Sequence, residues 1–160
     1  MKKIVPAFLI VVLVSLVNCS LVFSQEASSA LPDLSIQSVT FERQPKEGEQ
    51  ISAAKILIVN LGKNIAEENK LKLECLATDC LNDADCDKIS KALTGSMVMP
   101  ALKHGTSLEL TWTPAPVNWV TGNFIISAII DPENKIKEAS ELNNSKHSII
   151  YLKQLSPERE

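Results

Sequence analysis

Apolar and polar positions alternate through much of the chain. In the run Asn123–Ile130, Phe124, Ile126, Ala128 and Ile130 share one parity, and a period of two marks a β-strand with one buried face. A second apolar run, Ser145–Leu152, predicts its partner strand across an acidic, Asn-rich crossover that opens at Asp131-Pro132. Upstream, Leu71, Leu73 and Cys75 alternate with Lys70, Lys72 and Glu74, the clearest in/out pattern in the chain. Ile51–Leu61 reads as a strand with Ala54, Ile56 and Ile58 on one side. Its other side carries Leu57 and Val59, which suits a strand central in its sheet. The first strand starts at Pro32-Asp33-Leu34. Leu34 and Ile36 set one phase and Val39 and Phe41 the other, so a bulge or a change of sheet is expected. Ser96–Met99 and Ser107–Trp112 complete the set, the latter with Leu108, Leu110 and Trp112 on its apolar face.

One segment breaks the rhythm. Within Ala77–Gly95, Cys86, Ile89 and Leu93 fall at i, i+3 and i+7, which is helical spacing. A short helix is predicted around 83–94, capped by Asp83 or Asp85, with Gly95 after its last turn. Pro and Gly mark the turns at 44–49 and 103–105 and the loop Thr113–Gly122. About seven short strands with turns between them specify an all-β fold, an antiparallel immunoglobulin-like β-sandwich. The even spread of turns argues against βαβ units.

Composition adds boundaries. Lys2 and Lys3 precede a nearly continuous apolar run from Ile4 to Val17, and Val22 and Ser24 stand at −3 and −1 of a cleavage site. The run is about fourteen residues, short of the roughly twenty a membrane span needs. Residues 1–24 are therefore expected to be a secretory signal peptide. An alternative is a lipoprotein box at Leu16-Val17-Asn18-Cys19, with Cys19 as an N-terminal lipid anchor. Residues 25–31 read as a disordered leader, 32–153 as the domain and 154–160 as a charged tail. Removing 1–24 takes away two Lys and no acid, which drives the formal net charge below −3. With Arg only at 43 and 159, no basic cluster suits a phosphate backbone, and nucleic acid is excluded as a partner. Aromatics are only 4% of the chain, so the core must be aliphatic.

Exported cysteines tend to pair. Cys75, Cys80 and Cys86 cannot all pair within one chain. The parity of Cys75 points it to the core, which favours Cys80–Cys86; Cys75–Cys86 is the alternative, since Cys86 shares a helical face with Ile89. The same loop carries Asp79, Asp83, Asp85 and Asp87. Their spacing resembles the start of a calcium loop, but Lys88 stands where Gly is needed and Thr94 where Glu is needed. A solvated acidic loop is the plainer reading, with weak calcium binding as the alternative. Zinc lacks a fourth nearby ligand.

The crossover reads first as structure. Asp131 opens a turn, Asn134, Glu138 and Glu141 follow, Ile136 plugs the sandwich end, and the amides of Asn143 and Asn144 tie the segment to neighbouring backbone. Carboxylates here are the second place for calcium. Catalysis has little to stand on. His104 and His147 are the only imidazoles, neither in a nucleophile-like context, and Glu138 and Glu141 show no reason for a raised pKa. Trp119 is an end plug if buried and a binding platform beside Trp112 if exposed.

Several of these pieces occur in a familiar order. Pro32-Asp33-Leu34, Gly48, Val59-Asn60-Leu61-Gly62, Gly105 to Trp112, Gly122-Asn123-Phe124 and Asp131-Pro132-Glu133-Asn134 with Glu138 and Glu141-Leu142-Asn143-Asn144 together resemble the CARDB family, the cell-adhesion-related domain found in bacteria. The resemblance spans residues 32–152. It implies an immunoglobulin-like sandwich used as an extracellular or envelope spacer and adhesion module, usually without catalysis. The insertion at 77–95 and the single copy depart from the family pattern. The expected function is a secreted, periplasmic or extracellular non-catalytic module binding a protein or polysaccharide, with no cofactor. The alternative is a structural envelope component with weak calcium binding.

Overall fold

The computed structural model describes residues 30–153. The expected signal segment 1–24, Cys19 and the tail 154–160 lie outside the described residues. Seven strands form in chain order: β1 (Leu34–Phe41), β2 (Ala54–Asn60), β3 (Asn69–Thr78), β4 (Gly95–Met99), β5 (Ser107–Trp112), β6 (Gly122–Ile130) and β7 (Ser145–Leu152). One helix, α1 (Asp83–Ala92), joins β3 to β4. The strands make two antiparallel sheets, ordered β1-β2-β5 and β4-β3-β6-β7.

Period-two burial produces this arrangement. Ala54, Ile56 and Ile58 of β2 and Phe124, Ile126 and Ala128 of β6 are fully buried, while the residues between them are only half-buried. Both strands are interior in their sheets, and together with Leu34, Leu71 and Leu73 they make one mainly aliphatic core. The phase slip in β1 is a bulge at Gln37. Ile36 pairs with Ile58 and Ser38 with Leu57, so the exposed Gln37 is skipped. The extra residue lets Leu34, Ile36 and Val39 all face inward. β1 keeps its pairing with β2 throughout and does not change sheets.

α1 closes one flank. Cys86, Ile89 and Leu93 are buried, as their spacing predicts. The N-cap is Asn82, not Asp83 or Asp85: its side chain accepts from Ala84 N at 3.0 Å. Asp83 and Asp85 lie one and three residues further on, in the first turn, where their charge suits the helix dipole. At the other end, the Trp112 indole donates to the Ala92 carbonyl at 3.1 Å. Gly95 passes beneath that ring; a Cβ there would lie 2.5 Å from the indole.

Trp119 closes the end of the sandwich. Residues 48–51 and 117–119 exchange backbone hydrogen bonds, among them Trp119 N to Glu49 O and Ile51 N to Val117 O, both at 2.9 Å. This pins the Pro-rich loop against the turn before β2. Trp119 is only 2% exposed and packs edge-on between Phe41 and Phe124. Its ring is part of the core, so the aromatic binding platform that an exposed Trp119 would make does not form. Trp119→Ala is expected to cost about 3–5 kcal/mol in urea unfolding, as for other buried aromatics. A loss under about 1 kcal/mol would show that the ring does not close the core.

Candidate functional site

Polar chemistry concentrates where β6 crosses to β7. Asp131 and Asn134 adopt φ of 45° and 48°, a left-handed conformation that Asp and Asn tolerate better than other side chains. The Asp131 carboxylate is buried and accepts from Lys135 N at 3.0 Å and Ile136 N at 2.7 Å, while Asp131 N donates to Lys70 O. This turns the chain and lays Ile136 against the core. The crossover then grips the start of β1. Glu138 accepts from Leu34 N at 2.5 Å, Ala139 N donates to Pro32 O, and the Asn143 amide donates to Asp33 at 2.8 Å. The Asn144 amide donates to both Glu138 and Glu141, at 3.0 and 2.9 Å.

The other side of the grip comes from the end of β2. Asn60 is fully buried and sits on the parity of Ala54, Ile56 and Ile58. Its oxygen accepts from Asp33 N and Gly62 N, and its amide donates to the carbonyls of Asn64 and Leu102. Gly62 runs so close to residues 31–33 that a Cβ would lie 2.4 Å from their backbone. In the sequence Asn60 stands out only as part of Val59-Asn60-Leu61-Gly62, with no role of its own. Its signal was an amide at a core position of a strand.

Burial raises the pKa of the Glu138 carboxyl above its ordinary 4.5, against the lowering effect of the Leu34 and Asn144 hydrogen bonds. The i, i+3 spacing with Glu141 had suggested no such shift; the cause is tertiary, since β1 covers the carboxyl. Each Glu138 oxygen accepts a hydrogen bond, so the group serves as a structural acceptor. On the surface nearby, hydrogen bonds from Lys135 and then Lys70 hold Glu133 down to about 2.

In the acidic segment around the start of α1, two of the four aspartates have protein partners. Asp79 accepts from Asn123 at 2.6 Å, and Asp85 accepts from Asn82 and pairs with Lys88. Asp83 and Asp87 are exposed. Among the described residues no group of three or more His, Cys, Asp or Glu side chains is arranged to hold a metal ion. Cys80 and Cys86 form a disulfide, which closes a short loop worth about 2 kcal/mol of unfolded-chain entropy. Cys75 is free and half-buried, and burial pushes its thiol up to about 11.

The outer face of the four-stranded sheet is the contrasting surface. Leu76, Ile125 and Ile149 stand side by side on β3, β6 and β7. Leu76 and Ile149 are more than half exposed, as is Tyr151 one row away. The next row is Glu74, Ser127 and His147. These two rows line a shallow groove of about 620 Å³. Ser127 Oγ lies 2.8 Å from His147 Nδ1, a contact that the linear sequence concealed. It is a cross-strand pair on an open face. Glu74 stands beside Ser127, on the side away from the imidazole. His104 turns its ring to the Gly62 carbonyl and tightens the neighbouring turn.

Comparison with known proteins agrees with this architecture. The CARDB family model matches residues 31–148. A domain of a protein described as a cell-surface protein from Methanosarcina acetivorans superposes with a TM-score of 0.56 at 14% identity, covering 81% of this chain and 99% of that domain. A CARDB domain from Pyrococcus furiosus, solved as a crystal in complex with di-metal ions, gives 0.52 at 18% identity, covering 76% and 89%. Its solution structure gives 0.52 at 19%, covering 76% and 95%. No curated protein matches the chain.

Two outcomes test this site. Glu138 is expected to titrate above 4.5 in a site-resolved NMR titration. By linkage its contribution to stability is full below 4.5 and is lost as pH rises through the folded value. Glu138→Gln sets an amide N–H against one of the two donors and should cost about 1–3 kcal/mol. A midpoint at or under 4.5 would contradict the burial of this carboxyl. Calcium in large excess is expected to leave the melting temperature unchanged, because the acidic loop carboxylates are dispersed or already paired. A calcium-dependent rise would support the calcium alternative.

Proposed function

The chain belongs to the CARDB family, and we propose that it is an exported, non-catalytic β-sandwich module that binds a protein or polysaccharide at the bacterial envelope. CARDB domains are cell-surface-associated modules of non-catalytic type. The apolar leader at 1–24 supports export, and no helix among the described residues is long and apolar enough to cross a membrane. One observation carries the binding role. The buried polar network at the crossover is spent on holding β1, whereas the outer sheet face offers water a row of aliphatic side chains next to hydrogen-bonding ones. Exposed apolar groups gathered in one patch and rimmed by polar residues mark an interaction surface.

Beads coated with the purified protein are expected to be held on whole cells or purified envelope polysaccharide. Replacing both Leu76 and Ile149 by Asp should abolish retention without lowering the melting temperature by more than about 4 °C, since both side chains are largely solvent-facing. Equal retention by the variant would move the binding surface elsewhere, and no retention by either protein would remove the binding role.

A further inference from the structure

The chain enters this fold at one pole and leaves it at the other. Residues 31–33 run beside Gly62 and the β6–β7 crossover, where Ala139 N donates to Pro32 O. Phe41, at the far end of β1, packs on Trp119, and Trp119 packs on Phe124 at the start of β6. Phe124 pairs with Ile150, near the end of β7. β1 and β7 therefore both run from the crossover pole to the Trp119 pole, in different sheets. Each has eight residues, and at about 3.3 Å rise they separate entry from exit by about 26 Å.

Pulling residues 31 and 153 apart loads both strands along their length. β1 is paired with β2 from Leu34 to Phe41, and β7 with β6 from Ser145 to Leu152. Antiparallel ladder bonds lie across the strands, so a lengthwise load strains them together and does not open them one at a time. The load must still pass from the sheet of β1 to that of β7, and no ladder joins the two. At the entry point the crossover supplies that passage. Glu138 holds Leu34 N, Ala139 N holds Pro32 O, and Asn143 holds the Asp33 carboxylate with its amide and Ile36 N with its carbonyl. From β2 and the turn after it, Asn60 and Leu61 hold Asp33 N and Asp33 O. The first residues of a domain are poorly ordered unless tied down; here residues 32–34 are tied from both sheets. Leu34 is fully buried and Glu138 nearly so, which keeps water from replacing a bond that starts to open.

Resting on the reading of the four-stranded sheet as the partner-binding element, we propose a further function for this grip: the module bears tension. A pull between a partner on that sheet and the chain ahead of residue 31 enters at β1 and crosses to the bound sheet through Glu138, Ala139 and Asn143. Breaking these contacts is the first step of forced unfolding, taken while the rest of the core is still packed. The grip thereby sets the rate of unfolding under load, the quantity that governs forced unfolding.

Optical tweezers test this on single molecules of the purified protein, tethered by tags at its two ends and held at constant force. The tag beyond β7 stands in for the partner, since β7 belongs to the bound sheet. Asn143→Ala, which removes the Asp33 contact, and Glu138→Gln should each raise the rate of unfolding under load by about tenfold. Leu93→Ala opens a cavity behind α1, away from the load path, with a loss of stability in urea at least as great. It should change the rate under load by less than about threefold, because its contacts outlast the first step. A grip that serves stability alone would make all three variants accelerate in proportion to their loss in urea. That result overturns the proposal, as do grip variants that unfold under load at the native rate. Melting temperatures show that each variant starts folded. Asn143 is only half-buried, so Asn143→Ala decides the question if Glu138→Gln does not fold. Beads still held on envelope material in either overturning case leave the binding role standing. Beads not held by the native protein remove the load, and the tension-bearing role falls with that reading.

Discussion

The structure depends on how the end of the sandwich is shut. Two sheets that bury one face each leave, at their rim, backbone groups that no ladder satisfies, and unpaired buried groups cost about 1–3 kcal/mol apiece. Residues 31–34 run through such a rim. Asn60 from β2 and Glu138, Ala139 and Asn143 from the β6–β7 crossover hold this short piece of backbone from two sides. One sheet thereby grips the other through side chains and isolated backbone hydrogen bonds, where no strand ladder joins them. Gly62 is required because the gripped segment passes within contact of its Cα, and Asp131 is required because only a residue tolerant of positive φ can start the crossover while its carboxylate accepts two amides. The grip is matched in its donors more than its acceptors: the Asn143 and Asn144 side-chain oxygens find no hydrogen-bond partner among the described residues.

This constraint divides the molecule's polar residues by task. Residues that look chemically interesting in the sequence, the Asp, Glu and Asn of the crossover, are the ones the fold consumes. Glu138 shows the division most clearly. It is ionisable and beside a second carboxylate, the ingredients of acid–base chemistry, yet both its oxygens already accept hydrogen bonds and β1 covers it. Surface chemistry is left to the outer face of the four-stranded sheet, whose composition is unremarked in the sequence because its members come from three separated segments.

Much of the architecture was legible from periodicity. β5 falls on its predicted residues, Ser107–Trp112, and the β1 phase slip announces its bulge. The face formed by Cys86, Ile89 and Leu93 is the buried side of α1. The Cys80–Cys86 bridge follows from the same parity argument that turns Cys75 inward, although Cys75 ends half-buried and not sealed. Less legible were features decided by one-residue differences or by distance in the chain. Asn82 and Asp83 are equally good caps by composition, and only the point at which the loop becomes helical separates them. Trp119 in a Pro-rich loop reads as plug first and platform second, and the pairing of 48–51 with 117–119 draws it inward.

By itself, then, the sequence determined which residues turn inward along each segment, because burial of alternate side chains is a local property with a fixed period. It also determined where the chain must bend, because Asp, Asn, Gly and Pro act on their own backbone. What the tertiary structure alone decided is everything that depends on register between strands. Register placed Ser127 beside His147 and set Leu76, Ile125 and Ile149 in one line. It also brought Leu34 N to a carboxylate 104 residues away. Strand pairing is chosen by the whole core at once, and no window of neighbouring residues contains that choice.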